Sequence, residues 1–171
     1  MGIDTTFAGA YAKACIAAGL KLPRDGKVFI TMNDKCKKDI IPIAKTLVGL
    51  GYQIVSTGGT AAALKAAGVP CEFVLKIHEG RPNPTDLMRN GEIKFMMMTS
   101  SGDALDLSDG KDLRRLALGL GIPNVSTIAG CAATTEALKA MKAGPLVQIP
   151  IQDYFPDYYD NSVELIYGAR K

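Results

Sequence analysis

The chain has 171 residues, 47% hydrophobic and 22% charged, with a net charge of +3. That suffices for one domain with a sizeable core, and so small and scattered an excess of lysine argues against nucleic acid as a partner. Four cysteines without CxxC spacing and a single histidine argue against a zinc site or a disulfide framework, and for a reducing compartment. No apolar run approaches a membrane span, so no membrane partner is expected. The N-terminus lacks the basic region and apolar core of a secretion signal.

In chain order, a helix is predicted over 3–20, capped by Asp4 or Thr5 and closing near Gly19. A strand follows at KVFITM (27–32), then an amphipathic helix, CKKDIIPIAKTLVGLG, in which Pro42 marks a kink or a late start. YQIVST is the second strand and TAAALKAAG the second of these strand-linked helices. CEFVLK is a short third strand, TDLMRNG one or two helical turns, and IKFMMMTS the most apolar strand. KDLRRLALGLG reads as a helix, PNVST as a strand and CAATTEALKAMKAG as the last clear helix. The tail from Pro145 is rich in proline and aromatics and is not periodic. Alternating strands and helices predict an α/β fold, a Rossmann-like three-layer sandwich on a parallel sheet of about five strands. Ligands of such sheets lie beyond the C-terminal strand ends, which here are rich in Ser, Thr, Lys and Gly.

One of those ends, VSTGGTAAALKAAG (55–68), has the form of a phosphate socket. Gly58 and Gly59 can take positive φ and let an anion approach backbone amides that have no helical partner. Thr57 and Thr60 could add hydroxyls, or Thr57 could cap the helix. Lys37 and Lys76, past the first and third strand ends, are either point charges for that anion or solvated surface lysines. Thr99, Ser100 and Ser101 could meet a ribose or base, or simply form a turn. His78 has no partner discernible in the sequence and reads as structural more readily than as an acid or base. Arg114 and Arg115 read as a solvated or salt-bridged helix face. No GxSxG, HExxH, P-loop or dinucleotide fingerprint occurs, and no nucleophile-and-base pair is legible. The residues therefore describe a binding module.

MGIDTTFAGAYAKA resembles the segment joining the second ATP-grasp unit of the carbamoyl phosphate synthetase large subunit to its C-terminal regulatory domain. LKIHEGRPNPTDLMRNGEIKFMMMTSSGDAL, with STGGTA and DLRRLAL, resembles the body of that domain, and the likeness runs from about Met1 to Gly144. It divides the chain into a connector (1–24), a methylglyoxal synthase-like regulatory domain (25–144) and a tail (145–171), and implies a domain excised from a longer chain. The resemblance implies a non-catalytic allosteric domain with no cofactor of its own. The parent would be a glutamine-hydrolysing synthase using ATP with Mg or Mn, serving pyrimidine and arginine synthesis. Its implied effector is UMP or IMP, with ornithine bound nearby. Implied partners are the ATP-grasp part of the same subunit and, through it, the glutaminase small subunit. The setting would be cytoplasmic, or the plastid stroma in a photosynthetic eukaryote.

The family's phosphate-holding positions fall on Lys37, Thr57, Thr60 and Lys76, around Gly58 and Gly59. Its ribose and base positions fall on Thr31, Ile77, Met98, Ser100 and Leu113, with Met98 in place of an asparagine found in a well-known member. Its ornithine side falls on Asn124 and Ser126, where that member has a tyrosine and a threonine. Two enzymes share the superfamily. For methylglyoxal synthase, Asp34 matches one aspartate, but the catalytic one falls near Arg81 and a neighbouring histidine on Asn33. For IMP cyclohydrolase, STGGTA is shared and the KTLHP stretch is absent. A pure interaction domain with an empty rim is the third reading.

Overall fold

Val28, Phe29 and Ile30 are wholly buried, as expected of a strand covered on both faces, and they form the middle of β1 (Lys27–Thr31). The computed structural model describes residues 1–99 and 104–154. β1 is the central strand of a five-stranded sheet with β2 (Gln53–Thr57), β3 (Glu72–Val74), β4 (Ile93–Met98) and β5 (Asn124–Val125), in the order β3-β2-β1-β4-β5. Every pairing is parallel. The sheet and its flanking helices form an α/β fold of the predicted kind.

Alternate side chains of each strand feed two cores. Val28, Ile30, Ile54, Phe95 and Met97 pack with Ile40, Ile43, Ala44 and Leu47 of α2 (Lys37–Gly49), Leu64 of α3 (Gly58–Ala66) and Leu138 of α6 (Ile128–Ala143). Phe29, Val55, Val74, Met96 and Met98 pack with Leu87 and Met88 of α4 (Pro84–Arg89) and Leu113 and Ala117 of α5 (Ala104–Leu120). The three methionines of β4 thus divide between both cores, as filler for a central strand. α1 (Phe7–Ala17) packs on α6 through Ala12, Ala137 and Met141, and a last short helix, α7 (Ile151–Tyr154), lies in the tail. No helix among the described residues is long and apolar enough to cross a membrane.

Several boundaries differ from those expected. Thr6, not Asp4 or Thr5, caps α1 by accepting from the Gly9 amide. α2 runs through Pro42 and is preceded by a 3₁₀ turn, Asp34–Cys36. α5 begins at Ala104, seven residues before the expected start at Lys111, and carries Gly110 buried in its interior. α3 begins at Gly58 itself, and neither Gly58 nor Gly59 has positive φ. The tight turn expected there is the first turn of a helix.

The chain runs from β1 outward to β2 and β3, then crosses to β4 and β5 on the other side. That reversal leaves a crevice beyond the C-terminal ends of β1 and β4, the usual ligand position in an open parallel sheet.

Candidate functional site

A cleft open to solvent occupies that crevice. Its apolar lining includes Phe29, Ile77, Pro84, Met98 and Leu113. Its polar lining includes Thr31, Asn33, Thr57, Lys76, Thr99, Asp109 and Arg114.

At the β2 end, Thr57 precedes α3 in extended conformation and its side chain caps none of the helix amides. Its hydroxyl instead meets that of Thr31 at 3.1 Å, because β1 and β2 run in register to their ends. The first amides of α3 therefore carry no side-chain cap, and the helix dipole adds positive charge beside them. Lys37 stands over this end: a Cβ on Gly59 would lie 2.5 Å from its Nζ, whereas one on Gly58 would meet nothing within 4 Å. Gly59 thus keeps space for a lysine side chain, a different role from the glycine turn expected there.

Thr60 also departs from expectation. Its hydroxyl accepts from the Met32 amide at 3.0 Å and donates to the Met32 carbonyl at 3.2 Å, in a buried position. Its side chain fastens α3 to the β1 end, and only its backbone N–H is left to face an anion. Asn33 and Thr99 extend this scaffold: the Asn33 amide donates to Thr99 Oγ1 at 2.9 Å, and Asn33 Oδ1 accepts from the Cys36 amide at 3.0 Å. The turn before Lys37 is fixed in this way.

The charges converge. Lys37 Nζ lies 2.5 Å from Oδ1 of the exposed Asp34. Lys37 holds the Asp34 carboxyl below the usual carboxylate range, and Lys76 adds a smaller pull in the same direction. Both lysines therefore act on one small region of the rim. Among the described residues the Asp34 carboxylate is the one anionic partner of Lys37, and it is exposed enough to be displaced.

Lys76 is positioned by the KIHEGRPNPTD segment. Its amide donates to Glu79 Oε2 at 2.8 Å, and Gly80, at φ +136, turns the chain as a residue with a Cβ would not. Asn83 then caps α4 by accepting from the Thr85 amide at 3.0 Å and donates to the Gly80 carbonyl at 2.8 Å. His78 has a partner that the sequence did not reveal. Its Nδ1 lies 2.8 Å from Asp109 Oδ2, and its amide donates to the same oxygen at 3.4 Å. This pair ties the Lys76 segment to α5 across the mouth of the cleft.

Of the expected site residues, Lys37, Thr57, Gly58, Gly59 and Thr60 gather at the start of α3, while Thr31, Thr57, Lys76, Ile77, Met98 and Leu113 line the cleft. Ser100 lies outside the described residues. Asn124 and Ser126 are exposed at the edge strand β5 and do not line this cleft. Asn33 belongs to the β1 end already placed on the rim, whereas Asp109 and Arg114 were not expected there. Among the described residues, no cluster of three or more His, Cys, Asp or Glu could hold a metal. Burial pushes the Cys131 thiol up to about 12, so it offers no thiolate nucleophile near neutral pH.

Residues 39–126 match the family described as MGS-like domain. The chain is 50% identical over 155 residues to the chloroplastic carbamoyl phosphate synthase arginine-specific large chain of Oryza sativa subsp. japonica, a match covering 91% of this chain and 13% of that protein. It is 43% identical to the carbamoyl phosphate synthase large chain of a Synechocystis strain, over 90% of this chain and 14% of that one. The chain thus spans about an eighth of the length of these curated relatives. Among solved structures, a methylglyoxal synthase from Elizabethkingia anophelis superimposes with a TM-score of 0.52 at 16% identity, covering 79% of this chain and 92% of that one. At that identity the likeness bears on the fold alone.

Proposed function

The chain belongs to the MGS-like domain family, and from that premise we propose that it is the allosteric module of a carbamoyl phosphate synthase large chain, binding a nucleoside monophosphate, UMP or IMP, without transforming it. The observation that carries this reading is the uncapped start of α3 with Lys37 folded over Gly59 and Lys76 on the adjoining cleft wall. A phosphate there accepts from the first α3 amides and the Thr57 hydroxyl and displaces Asp34 from Lys37. The sugar and base then lie over Ile77, Met98 and Leu113, an apolar floor with polar walls.

The parent activity, ATP-dependent synthesis of carbamoyl phosphate, and its ATP-grasp and glutaminase partners belong to this proposal, as does a stromal or cytoplasmic setting. The effector changes that activity only as far as it binds one state of the parent better than another. Ornithine, if it binds, uses the exposed edge at Asn124 and Ser126 rather than this cleft. Isothermal titration of UMP and IMP into the chain tests the reading: saturable binding weakened by Lys76→Ala is expected, and heat no larger than that of dilution sinks it.

One observation favours a second reading, a methylglyoxal synthase-type phosphate lyase: His78 with Asp109 is a possible base with an orienting carboxylate. Against it, Arg81, near which the catalytic aspartate falls, is exposed and pairs with Asp86 at 3.5 Å. Methylglyoxal formed from dihydroxyacetone phosphate by the purified chain would establish the lyase.

A further inference from the structure

A second groove lies at the opposite end of the sheet, where β4 and β5 begin. Its walls are the connector after α1, the turn from α4 into β4 and the turn from α5 into β5. The floor is apolar, with Leu22, Met88, Ile93, Ile122 and Pro123. Leu120 lines it while 46% exposed, and Leu118, two residues earlier on α5, is 81% exposed. Three cations stand on the same walls: Lys21, Arg89 and Lys94. All three are exposed, and none makes a hydrogen bond or ion pair among the described residues. The neighbouring carboxylate, Glu92, is taken by Lys27 at 2.8 Å. Lys94 is held in place by its stem: a Cβ on Gly26 would lie 2.6 Å from the Lys94 Cγ, and Gly26 turns the connector beneath it at φ +104.

An apolar floor edged by unpartnered cations complements a chain segment in which aromatic rings alternate with carboxylates. One stretch of the sequence has that composition. FPDYYDNSVE (155–164) carries Phe155, Tyr158 and Tyr159 with Asp157, Asp160 and Glu164, and no cation. It lies outside the described residues and begins where α7 ends. That starting point is fixed close to the groove. The Tyr154 hydroxyl is 3.2 Å from Lys13 Nζ on α1 and donates to the Ile3 carbonyl at 3.2 Å. From Lys13 to Lys21, on the groove wall, the path is four helical residues and four of connector, about 20 Å of chain at most. Roughly six extended residues cover that distance.

We propose that residues 155–164 dock in this groove, with the aromatic rings on the Leu22–Ile93–Leu120 floor and the three carboxylates facing Lys21, Arg89 and Lys94. Exposed ion pairs of this kind contribute little each, so they set register while burial of the rings supplies most of the contact. The tether helps: a short linker gives an effective concentration of about millimolar, so even a weak site is filled. The docked segment straps the connector to the ends of α4 and α5. It uses none of the residues at the α3 start, and so stands or falls apart from the phosphate-binding reading.

The test is zero-length carbodiimide coupling of the full 171-residue chain, mixed with an equal amount of ¹⁵N-labelled chain and read by mass spectrometry of its peptides. Amide links from Asp157, Asp160 or Glu164 to Lys21 or Lys94 are expected, within light or within heavy chains. Arg89→Glu alters the groove's charge without removing a group that the reagent couples. Those links should fall several-fold in this variant, with the circular dichroism spectrum and UMP affinity unchanged. Links only between light and heavy chains would make the occupant a second copy and overturn the proposal. It is equally overturned if the tail carboxylates couple only to lysines outside the groove, if they do not couple at all, or if Arg89→Glu leaves the yield unchanged.

Discussion

The two ends of the sheet use the same kinds of side chain in opposite ways. At the N-terminal end, Lys27 sits between Glu72 at 2.9 Å and Glu92 at 2.8 Å, bonds that raise its pKa, Glu92 contributing most. Nearby, Lys142 donates to the Leu50 carbonyl and lies 4.6 Å above the Tyr52 ring, whose hydroxyl donates to the Pro23 carbonyl at 2.6 Å. Both of these cations are satisfied by the protein itself. At the C-terminal rim, Lys37 has only an exposed aspartate, and Arg114 has no ion-pair partner among the described residues. Cations satisfied internally hold a fold together, while cations with weak or missing partners around an uncapped helix start are available to a ligand.

The sharpest way to break this contrast is to remove one lysine from each end. Lys37→Ala, which loses only an exposed aspartate as protein partner among the described residues, should weaken UMP binding by about 1.5–3 kcal/mol, the range for a hydrogen bond to a charged group, and change thermal stability little. Lys27→Ala should do the reverse, lowering the midpoint of thermal unfolding with UMP affinity unchanged. If both substitutions weakened binding equally, the division between the ends would be wrong.

A second test separates two threonines that look equivalent in STGGTA. Thr60→Val leaves the buried Met32 amide without its acceptor and should cost about 1–3 kcal/mol of stability in urea unfolding. Thr57→Val loses only the contact with Thr31, so its stability loss should be smaller and its effect on UMP binding larger. The sequence shows two hydroxyls flanking two glycines, and nothing in it distinguishes the one bound to Met32.

That example shows what was legible. Strand order of appearance, layer architecture and the rim itself follow from local signals: β-branched runs, helical periodicity and polar strand ends. Pairings between distant segments do not. His78 meets Asp109, 31 positions later, and no local pattern announces it. The glycines misled for a related reason. SGDALDLSDGKD has the composition of a loop, yet Gly110 lies buried within α5, where tertiary packing overrides propensity. Gly58 and Gly59 have the composition of a turn, yet they open a helix, and the space a Cβ would take at Gly59 is occupied by the Lys37 ammonium.

Gly59 offers a third and smaller test, in which stability and binding should part. Gly59→Ala puts a better helix former into α3 and should stabilise the fold by up to about 0.5–1 kcal/mol. The new Cβ also displaces the Lys37 ammonium, so UMP affinity should fall severalfold. The lysine side chain is flexible at that end, which keeps the cost modest. A variant gaining stability with unchanged affinity would remove Lys37 from the grip.

The smallest effect concerns a satisfied pair away from both ends of the sheet. Asp4 lies 2.8 Å from Lys13, which also donates to the Ile3 carbonyl and to the Tyr154 hydroxyl, drawing the start of the chain and α7 onto α1. The bond from Lys13, helped by the Thr6 amide, lowers the Asp4 pKa from 3.8 to about 2. A carboxyl depressed on folding stabilises the folded state above its unfolded value and loses that contribution as pH falls through the folded one. The stabilisation is therefore whole above about 3.8 and disappears on acidification through about 2. Thermal unfolding of the chain and of Asp4→Asn should give midpoints that differ near neutrality and converge across that window. Asp34, also depressed by a lysine, makes the useful control. Its partner is available to a ligand, so saturating UMP should remove the effect of Asp34→Asn while leaving that of Asp4→Asn intact.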